Sequence, residues 1–303
     1  MQHPCAPSQS HHQLTCVVSI PFVANQREGI SFSTNQIAGF CKLTAVLAML
    51  RRATGTLFAG AVCASFVAPS RSFSASRITQ VPGSPSSAPA TPRPVQVLAT
   101  SSCIGKIVPD PRPRASWKLC NCGDDAYYVG VHATHATIAV ADGVGGWGDC
   151  ADEFSNMLMR NLKPHDVPNT SAIEQLSGAY VQCVKDRARA STTACVSHID
   201  CTSGKFSIAN VGDSGFMIFR NGAKMYSSEP MQVRFNMPYQ LGAHANAHTP
   251  NDARLYTGDF IPGDIMVLYT DGVTDTLSED DLARAVTTFL QMHPLYAHVF
   301  LLF

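Results

Sequence analysis

The chain contains 303 residues, enough for one large domain or two small ones, and its 22 acidic and 22 basic residues balance to a formal net charge of zero. This balance excludes a general electrostatic attraction to nucleic acid or to an anionic membrane surface, so we expect no nucleic-acid partner. The 11 cysteines are an odd number without a Cys-x-x-Cys pair, which indicates reduced, mostly buried thiols instead of a disulfide framework.

The N-terminal part of the chain differs in composition from the remainder. Glu28 is the only acidic residue before Asp110, and residues 49–77 are basic, free of acids and rich in Ala, Ser and small apolar side chains. This profile is typical of a mitochondrial transit peptide, although a disordered tail has a similar composition. We therefore expect residues 1–79 to be an extension that directs the protein to the mitochondrion, with the matrix as its destination.

Two further features delimit the folded part of the chain. The apolar stretch at residues 54–67 is shorter than the roughly 20 residues that a membrane-spanning helix requires, so we expect no membrane span. Pro, Ser and Ala dominate residues 80–94, which predicts a linker that leads into a domain at residues 95–303. Met49 is an alternative start to Met1, and the sequence leaves that choice open.

Hydrophobic periodicity divides the domain into strands and helices. Thr170 or Ser171 is placed to cap the second helix, and Ser278 and Asp281 have the spacing of a capping box at the last one. Because the strands cluster together with helices around them, the pattern predicts an α+β fold. The predicted elements are strands at residues 126–131 and 135–140, helices at 152–161 and 171–189, strands at 193–199, 205–211, 215–220 and 264–269, and a helix at 278–290.

An aspartate followed by glycine ends two of the predicted apolar strands. Asp142 comes after the apolar residues 137–140, and Asp271 comes after residues 265–269. Two strands that deliver carboxylates at the same edge of a sheet can hold two divalent cations about 3.5–4 Å apart, which share a water and aim it at phosphorus. Oxygen-rich sites of this kind suit Mg²⁺ or Mn²⁺. A glycine-rich turn without a ligand is the alternative at Asp142.

Other polar residues have more than one interpretation. Asp124 and Asp125 precede the first predicted strand, where a solvated turn is the alternative to a place in the metal site. Asp213 lies between two strands in the segment Gly-Asp-Ser-Gly, and there we interpret the aspartate as a turn residue. His132 and His135 alternate with apolar residues, which favours ordinary strand positions for both.

Seven short segments of the domain occur in an order that is specific as a set. They are GDDA at residues 123–126, ADGVGGW at 141–147, EFS at 153–155, STTAC at 191–195, ANVGDSG at 209–215, FNMPYQL at 235–241, and GD at 263–264 with TDG at 270–272. Together they resemble the metal-dependent protein phosphatases of type 2C, from about residue 116 to residue 290. The second and sixth segments are similar to the mitochondrial branch of that family.

The resemblance implies a four-layer α-β-β-α sandwich, in which two antiparallel sheets are flanked by helices and two Mg²⁺ or Mn²⁺ ions lie at one edge. It implies an enzyme that hydrolyses phosphoserine and phosphothreonine in phosphoprotein substrates with a metal-bridging water. We expect the protein to be a monomer. By position, Asp142 would bridge both metals, Gly143 would give a carbonyl and Asp271 would bind the second metal. Asp125 would hold metal-bound water, and Asp124 would replace the usual glutamate. Lys118 would contact the phosphate, with an ordinary surface lysine as the alternative.

The chain departs from the family in two places. Val144 stands where other branches have a histidine that acts as general acid, which implies protonation of the leaving group by metal-bound water. The family closes with a strand that carries a further metal-binding aspartate, whereas this chain has no acid after Asp281. We therefore expect the last strand or strands to be missing and the domain to be incomplete at its C-terminus. An active protein phosphatase and a catalytically weak or inactive relative that binds phosphoproteins both remain open.

Overall fold

The computed structural model describes residues 14–22, 63–67, 94–104 and 122–292. Lys118 lies outside the described residues, as does the predicted transit segment at residues 49–77 except for 63–67. The helices are α1 (Ala151–Leu162), α2 (Ala172–Lys185), α3 (Asp271–Thr274) and α4 (Glu279–Met292). None of the helices within these described ranges combines the length and the apolar character needed to cross a membrane.

The strands of the described residues form two large antiparallel sheets. They are β1 (Leu14–Phe22), β2 (Cys63–Val67), β3 (Gln96–Ile104), β4 (Ala126–Val131), β5 (His135–Ala141), β6 (Ser191–Thr192), β7 (Ala194–Asp200), β8 (Lys205–Val211), β9 (Gly215–Arg220), β10 (Ala223–Ser227), β11 (Gln232–Arg234), β12 (Met237–Pro238), β13 (Leu241–Gly242), β14 (Arg254–Asp259) and β15 (Ile265–Tyr269). In the described part of the chain, one sheet has the order β10-β9-β15-β1-β3-β2 and the other the order β14-β8-β7-β5-β4. Two short pairs, β11-β12 and β13-β6, complete the set.

The core between the two sheets is built from alternate residues of their strands. Ile138 and Val140 of β5 pack in one cluster with Phe216 of β9 and with Met266 and Leu268 of β15. Successive side chains of a strand point to opposite faces of the sheet, so residues two apart share a face. Every residue of β5 is buried, which places this strand at the centre of the molecule.

The other face of β5 is covered by α1 and α2. Ala139 and Ala141 pack in a second cluster with Phe154 and Leu158 of α1 and with Leu176 of α2. These aliphatic and aromatic side chains are buried on the inner faces of the helices, and each buried side chain of this size stabilises the fold by roughly 1.5–3 kcal/mol. The five-stranded sheet is therefore held between a helical layer and the second sheet.

The remaining long helix, α4, lies against the six-stranded sheet at the β9–β10 turn. Lys224 of β10 forms an ion pair with Glu279 of α4, and Thr287 lies beside Gly222 in the turn. Ser278 caps this helix, because its hydroxyl accepts from the Asp281 amide at 3.1 Å and its own amide donates to the Asp281 carboxylate at 3.2 Å. The predicted α+β fold, two antiparallel sheets flanked by helices, is confirmed.

The helix predicted at residues 171–189 is shorter in the structure. Ser171 caps α2 in a capping box with Glu174, as the sequence indicates, but α2 ends at Lys185. Arg187 adopts a left-handed φ of 55°, and the Ala188 amide donates back to the Cys183 carbonyl at 3.0 Å. This arrangement closes the last turn in the way that a left-handed residue commonly ends a helix.

One central strand comes from a segment in which the sequence predicts none. β1 lies between β15 and β3 in the six-stranded sheet, with Cys16 opposite Tyr269 and Val18 opposite Thr100. The N-terminal segment has no sustained hydrophobic period, so its pairing with these distant strands was not visible in the sequence. The domain boundary at residue 95 stays a prediction.

The expectation of reduced thiols is wrong for at least three cysteines, since Cys103, Cys122 and Cys150 are disulfide-bonded. Cys103 of β3 and Cys122 are joined by a disulfide, because the end of β3 passes beside the residues before β4 with a Cα–Cα separation of 5.4 Å. Cys183, Cys195 and Cys201 are free and buried, as expected. Burial raises the pKa of the Cys183 and Cys201 thiols to about 12, so these thiols are protonated at neutral pH.

Candidate metal centre

Three aspartates meet at one end of the sandwich. Asp125 immediately precedes β4 and Asp142 immediately follows β5, and the pairing of Ala126 with Ala141 places these two aspartates side by side. Asp271 follows β15 of the other sheet and begins α3. The site therefore draws carboxylates from both sheets at the same edge, as the repeated Asp-Gly pattern predicts.

The three carboxyl groups interact directly. The pKa of Asp142 is raised well above 3.8 by burial, by the negative charges of Asp125 and Asp271, and by side-chain hydrogen bonds to both. Like charges held this close disfavour ionisation unless a cation lies among them. A divalent cation would remove the repulsion, and carboxylate oxygens are the ligands that Mg²⁺ and Mn²⁺ prefer. The donor set therefore fits the ions that the sequence predicts.

The backbone of Asp142 is fixed by the β6–β7 segment. Its carbonyl oxygen accepts hydrogen bonds from the Thr192 hydroxyl at 2.7 Å and from the Thr193 amide at 2.9 Å. Its amide donates to the Thr193 hydroxyl at 3.1 Å. In the STTAC segment, the two threonines therefore fix the backbone from which the Asp142 carboxylate projects.

Gly143 occupies a position that no side chain could share. A Cβ atom added there would lie 2.2 Å from the Ala151 carbonyl oxygen and 2.5 Å from the Asp124 carbonyl oxygen. Both neighbours are backbone atoms that cannot rotate away. The glycine therefore lets the loop after β5 approach the start of α1 and the segment before β4 closely, which packs the acid-bearing segments together.

Neighbouring residues orient the segment that carries Asp124 and Asp125. The Thr270 hydroxyl donates to the Asp125 carboxylate at 3.1 Å, so the residue before Asp271 also positions Asp125. The Ser155 hydroxyl of α1 donates to the Asp124 carbonyl at 2.5 Å. The backbone carbonyl of Asp124 therefore lies next to the site. A role for the Asp124 carboxylate as a metal ligand stays a prediction.

Asp213 is a further acid at this edge, which the sequence interpretation assigned only to a turn. The pairing of Gly215 with Tyr269 brings the start of β9 beside the end of β15. The pKa of Asp213 is raised by burial and by the negative charge of Asp271, while a 3.0 Å hydrogen bond from Gln232 opposes the shift. The turn interpretation is therefore incomplete, because Asp213 also contributes to the acidic cluster.

Polar contacts link the loop after β5 to the FNMPYQL segment. The Trp147 indole donates to the Ser191 hydroxyl at 2.6 Å, and that hydroxyl donates to the Gln240 side chain. The Val144 amide donates to the Ser191 carbonyl at 3.0 Å. These contacts join the ADGVGGW, STTAC and FNMPYQL segments, which are far apart in sequence, next to the acids. Of the predicted site residues, the structure gathers Asp125, Asp142, Gly143 and Asp271, and places Asp124 beside them.

The chain is similar to several known proteins. A family model described as Stage II sporulation protein E (SpoIIE) matches residues 150–297. The 5-azacytidine resistance protein azr1 of Schizosaccharomyces pombe is 33% identical over 177 residues, 54% of this chain and 59% of that protein. A Xenopus laevis protein named Protein phosphatase PTC7 homolog is 33% identical over 199 residues, 60% of this chain and 66% of that protein. Protein phosphatase 2C homolog 7, mitochondrial, of Saccharomyces cerevisiae is 32% identical over 189 residues, 53% of this chain and 55% of that protein.

By these comparisons the chain is similar to SpoIIE/PP2C-type phosphatases, and its relatives include proteins named PTC7 homologs. It spans between 55% and 66% of the length of the three relatives above.

Proposed function

We propose that the protein is a Mg²⁺- or Mn²⁺-dependent protein serine/threonine phosphatase that acts as a monomer on phosphoproteins. The observation that carries this proposal is the direct interaction of the Asp125, Asp142 and Asp271 carboxyls at one edge of the sandwich. Relatives named as protein phosphatases support the reaction class. We propose phosphoserine and phosphothreonine as the substrates by analogy with the type 2C family.

The chain's own residues have distinct parts in this function. Asp142 and Asp271 would supply carboxylates to the cations, and the Gly143 carbonyl would supply a further oxygen. When bound, two such ions polarise a phosphoryl oxygen and lower the pKa of a water. Asp125, which accepts a hydrogen bond from the Thr270 hydroxyl, would in turn hold a water at the site. Val144 has no group that could transfer a proton to the leaving group.

We further propose that the protein acts in the mitochondrion, and in its matrix. The support is the acid-free, basic composition of residues 49–77 together with the name of the yeast relative, which is a mitochondrial phosphatase.

The activity is tested by measuring phosphate release from p-nitrophenyl phosphate and from a phosphothreonine peptide with the full chain. We expect turnover with Mn²⁺, none with a chelator, and a loss on the order of 10²–10³-fold for Asp142→Asn. Asp259→Asn is the matched control, because the side chain of Asp259 is 70% exposed and pairs only with Lys205 in the salt bridges of the described residues.

Two results would contradict the proposal in different ways. Mn²⁺ binding without turnover would identify an inactive relative that binds phosphoproteins. Turnover that persists in the chelator or in Asp142→Asn would place the chemistry elsewhere.

A further inference from the structure

A second group of metal-ligating side chains lies at the other end of the five-stranded sheet. His132 in the β4–β5 turn, His135 at the start of β5 and Asp166 after α1 place one ligand atom each within 4.8 Å of one another. We propose that these three residues bind a single transition-metal dication, with Zn²⁺ as the ion that fits best. The proposal is independent of the phosphatase function.

The two groups of ligands are well separated. His135 is the first residue of β5, and Asp142 follows its last residue. A strand rises about 3.3 Å per residue, so the two sites are about 23 Å apart along β5. The histidine group therefore cannot share an ion with the acids at the other edge.

Two buried atoms of the group are paired only with each other. His135 Nε2 and Asp166 Oδ1 form an ion-pair contact of 3.2 Å, and within the described part of the chain neither makes a well-aligned hydrogen bond. The side chain of Asp166 is 1% exposed and that of His135 is 6% exposed, so solvent does not reach them freely. A cation bound between the two atoms would replace this single poorly aligned contact with one metal–ligand bond to each.

The other atoms of the group are already oriented. The Tyr128 hydroxyl donates to Asp166 Oδ2 at 2.8 Å, and His135 Nδ1 pairs with the Thr134 hydroxyl at 3.1 Å. Partners of this kind fix the ring and carboxylate orientations of metal ligands, and they leave His135 Nε2 facing Asp166. Gly130 makes room for the carboxylate, since a Cβ there would lie 1.9 Å from Asp166 Oδ2.

The ligand chemistry distinguishes this site from the acidic one. Two imidazoles and one carboxylate form a set that Zn²⁺ and neighbouring transition metals bind, whereas Mg²⁺ prefers oxygen ligands alone. His132 Nε2 lies 2.8 Å from Asp166 Oδ2, and its side chain is 46% exposed. That exposure opens a path for the ion and a coordination position for water. A bound ion would tie the β4–β5 turn to the segment after α1.

The test is a titration of the metal-free full chain with Co²⁺, which reports histidine ligation through its visible spectrum, followed by competition with Zn²⁺. Excess Mg²⁺ is present throughout to favour occupation of the acidic site by Mg²⁺. We expect one binding step with visible bands, which His132→Gln and Asp166→Asn each weaken by at least about tenfold. We also expect Zn²⁺ to raise the melting temperature of the wild-type chain but not of His132→Gln.

His165→Gln is the matched control, because it makes the same change one residue before Asp166 and His165 is not among the three ligands. Asp142→Asn should keep the binding step, which separates it from the acidic site. If Asp166→Asn fails to fold, His132→Gln still tests the proposal, because His132 is half-exposed and its replacement should not disturb the core. Absence of the step, or an unchanged affinity in His132→Gln, would overturn the proposal and leave the group as a hydrogen-bonded cluster.

Discussion

The carboxyl groups of Asp142 and Asp271 lie close enough for the charge of Asp271 to raise the pKa of Asp142, although the two residues follow strands of different sheets. The contact exists because β5 and β15 end at the same edge of the sandwich. It couples the packing of the two sheets to the charge state of one small cluster. Divalent cations at this edge would therefore affect both the proposed activity and the stability of the domain.

Replacing Gly143 with alanine tests the close packing around the acids. We expect Gly143→Ala to lower the melting temperature and any Mn²⁺-dependent activity, because the new Cβ would lie 2.2 Å from the Ala151 carbonyl oxygen. Overpacking of this kind typically costs about 1–3 kcal/mol. Gly145→Ala is the control, since an added Cβ there has nothing within 4 Å. Equal melting temperatures for the two variants, measured by calorimetry, would contradict the account.

The metal-free protein should lose stability as the pH rises. The folded-state pKa of Asp142 is raised above 3.8, so its contribution to folding is complete below the unfolded pKa and declines until the folded pKa is passed. We expect the melting temperature in chelator to fall between mildly acidic and alkaline pH, and Mn²⁺ to restore more of it at the higher pH.

The matched variant for this dependence is Asp142→Asn, which removes one of the crowded charges. It should melt at a higher temperature than the wild-type chain in chelator at alkaline pH, and it should depend less on pH. A wild-type melting temperature in chelator that rises across this pH range would show that the cluster does not control it.

Asp213 should contribute to cation binding. Because its pKa is raised by burial and by Asp271, we expect Asp213→Asn to increase the Mn²⁺ concentration for half-maximal activity by at least about tenfold. Asp259→Asn, at an exposed ion pair worth about 0–1 kcal/mol, is expected to change nothing. If Asp213→Asn has an unchanged Mn²⁺ requirement, Asp213 is a turn residue only and has no part in cation binding.

The targeting proposal is tested with the N-terminal segment alone. We expect residues 49–77 fused to a fluorescent reporter to enter mitochondria in cells. A version with glutamine at the basic positions Arg51, Arg52, Arg71 and Arg77 should remain outside, because a transit peptide depends on its positive charge. A cytosolic location for the unaltered fusion would refute the proposal.

The fold and the main acids could be predicted because their signals are local. Each of Asp142 and Asp271 follows an apolar strand and precedes a glycine, so the pattern itself places them at strand ends. Asp213 could not be separated from a turn residue, since Gly-Asp-Ser-Gly suits a turn equally well. Its proximity to Asp271 depends on the pairing of β9 with β15, which joins segments far apart in sequence.

The same limit applies elsewhere in the molecule. Ordinary strand positions were expected for His132 and His135, but His132 lies in the turn and both contact Asp166 from a separate segment. The expectation for His132 was therefore wrong. β1 was not predicted because its partners β3 and β15 lie far along the chain. The Cys103–Cys122 disulfide likewise depends on tertiary proximity.

The central claim is that Asp125, Asp142 and Asp271 form a site for divalent cations. It is tested most directly by counting bound Mn²⁺ from the electron paramagnetic resonance signal of the free ion, with the full chain and with Asp142→Asn. We predict about two Mn²⁺ ions per wild-type chain and a loss of this binding in Asp142→Asn. Equal Mn²⁺ binding by the two proteins would contradict the account.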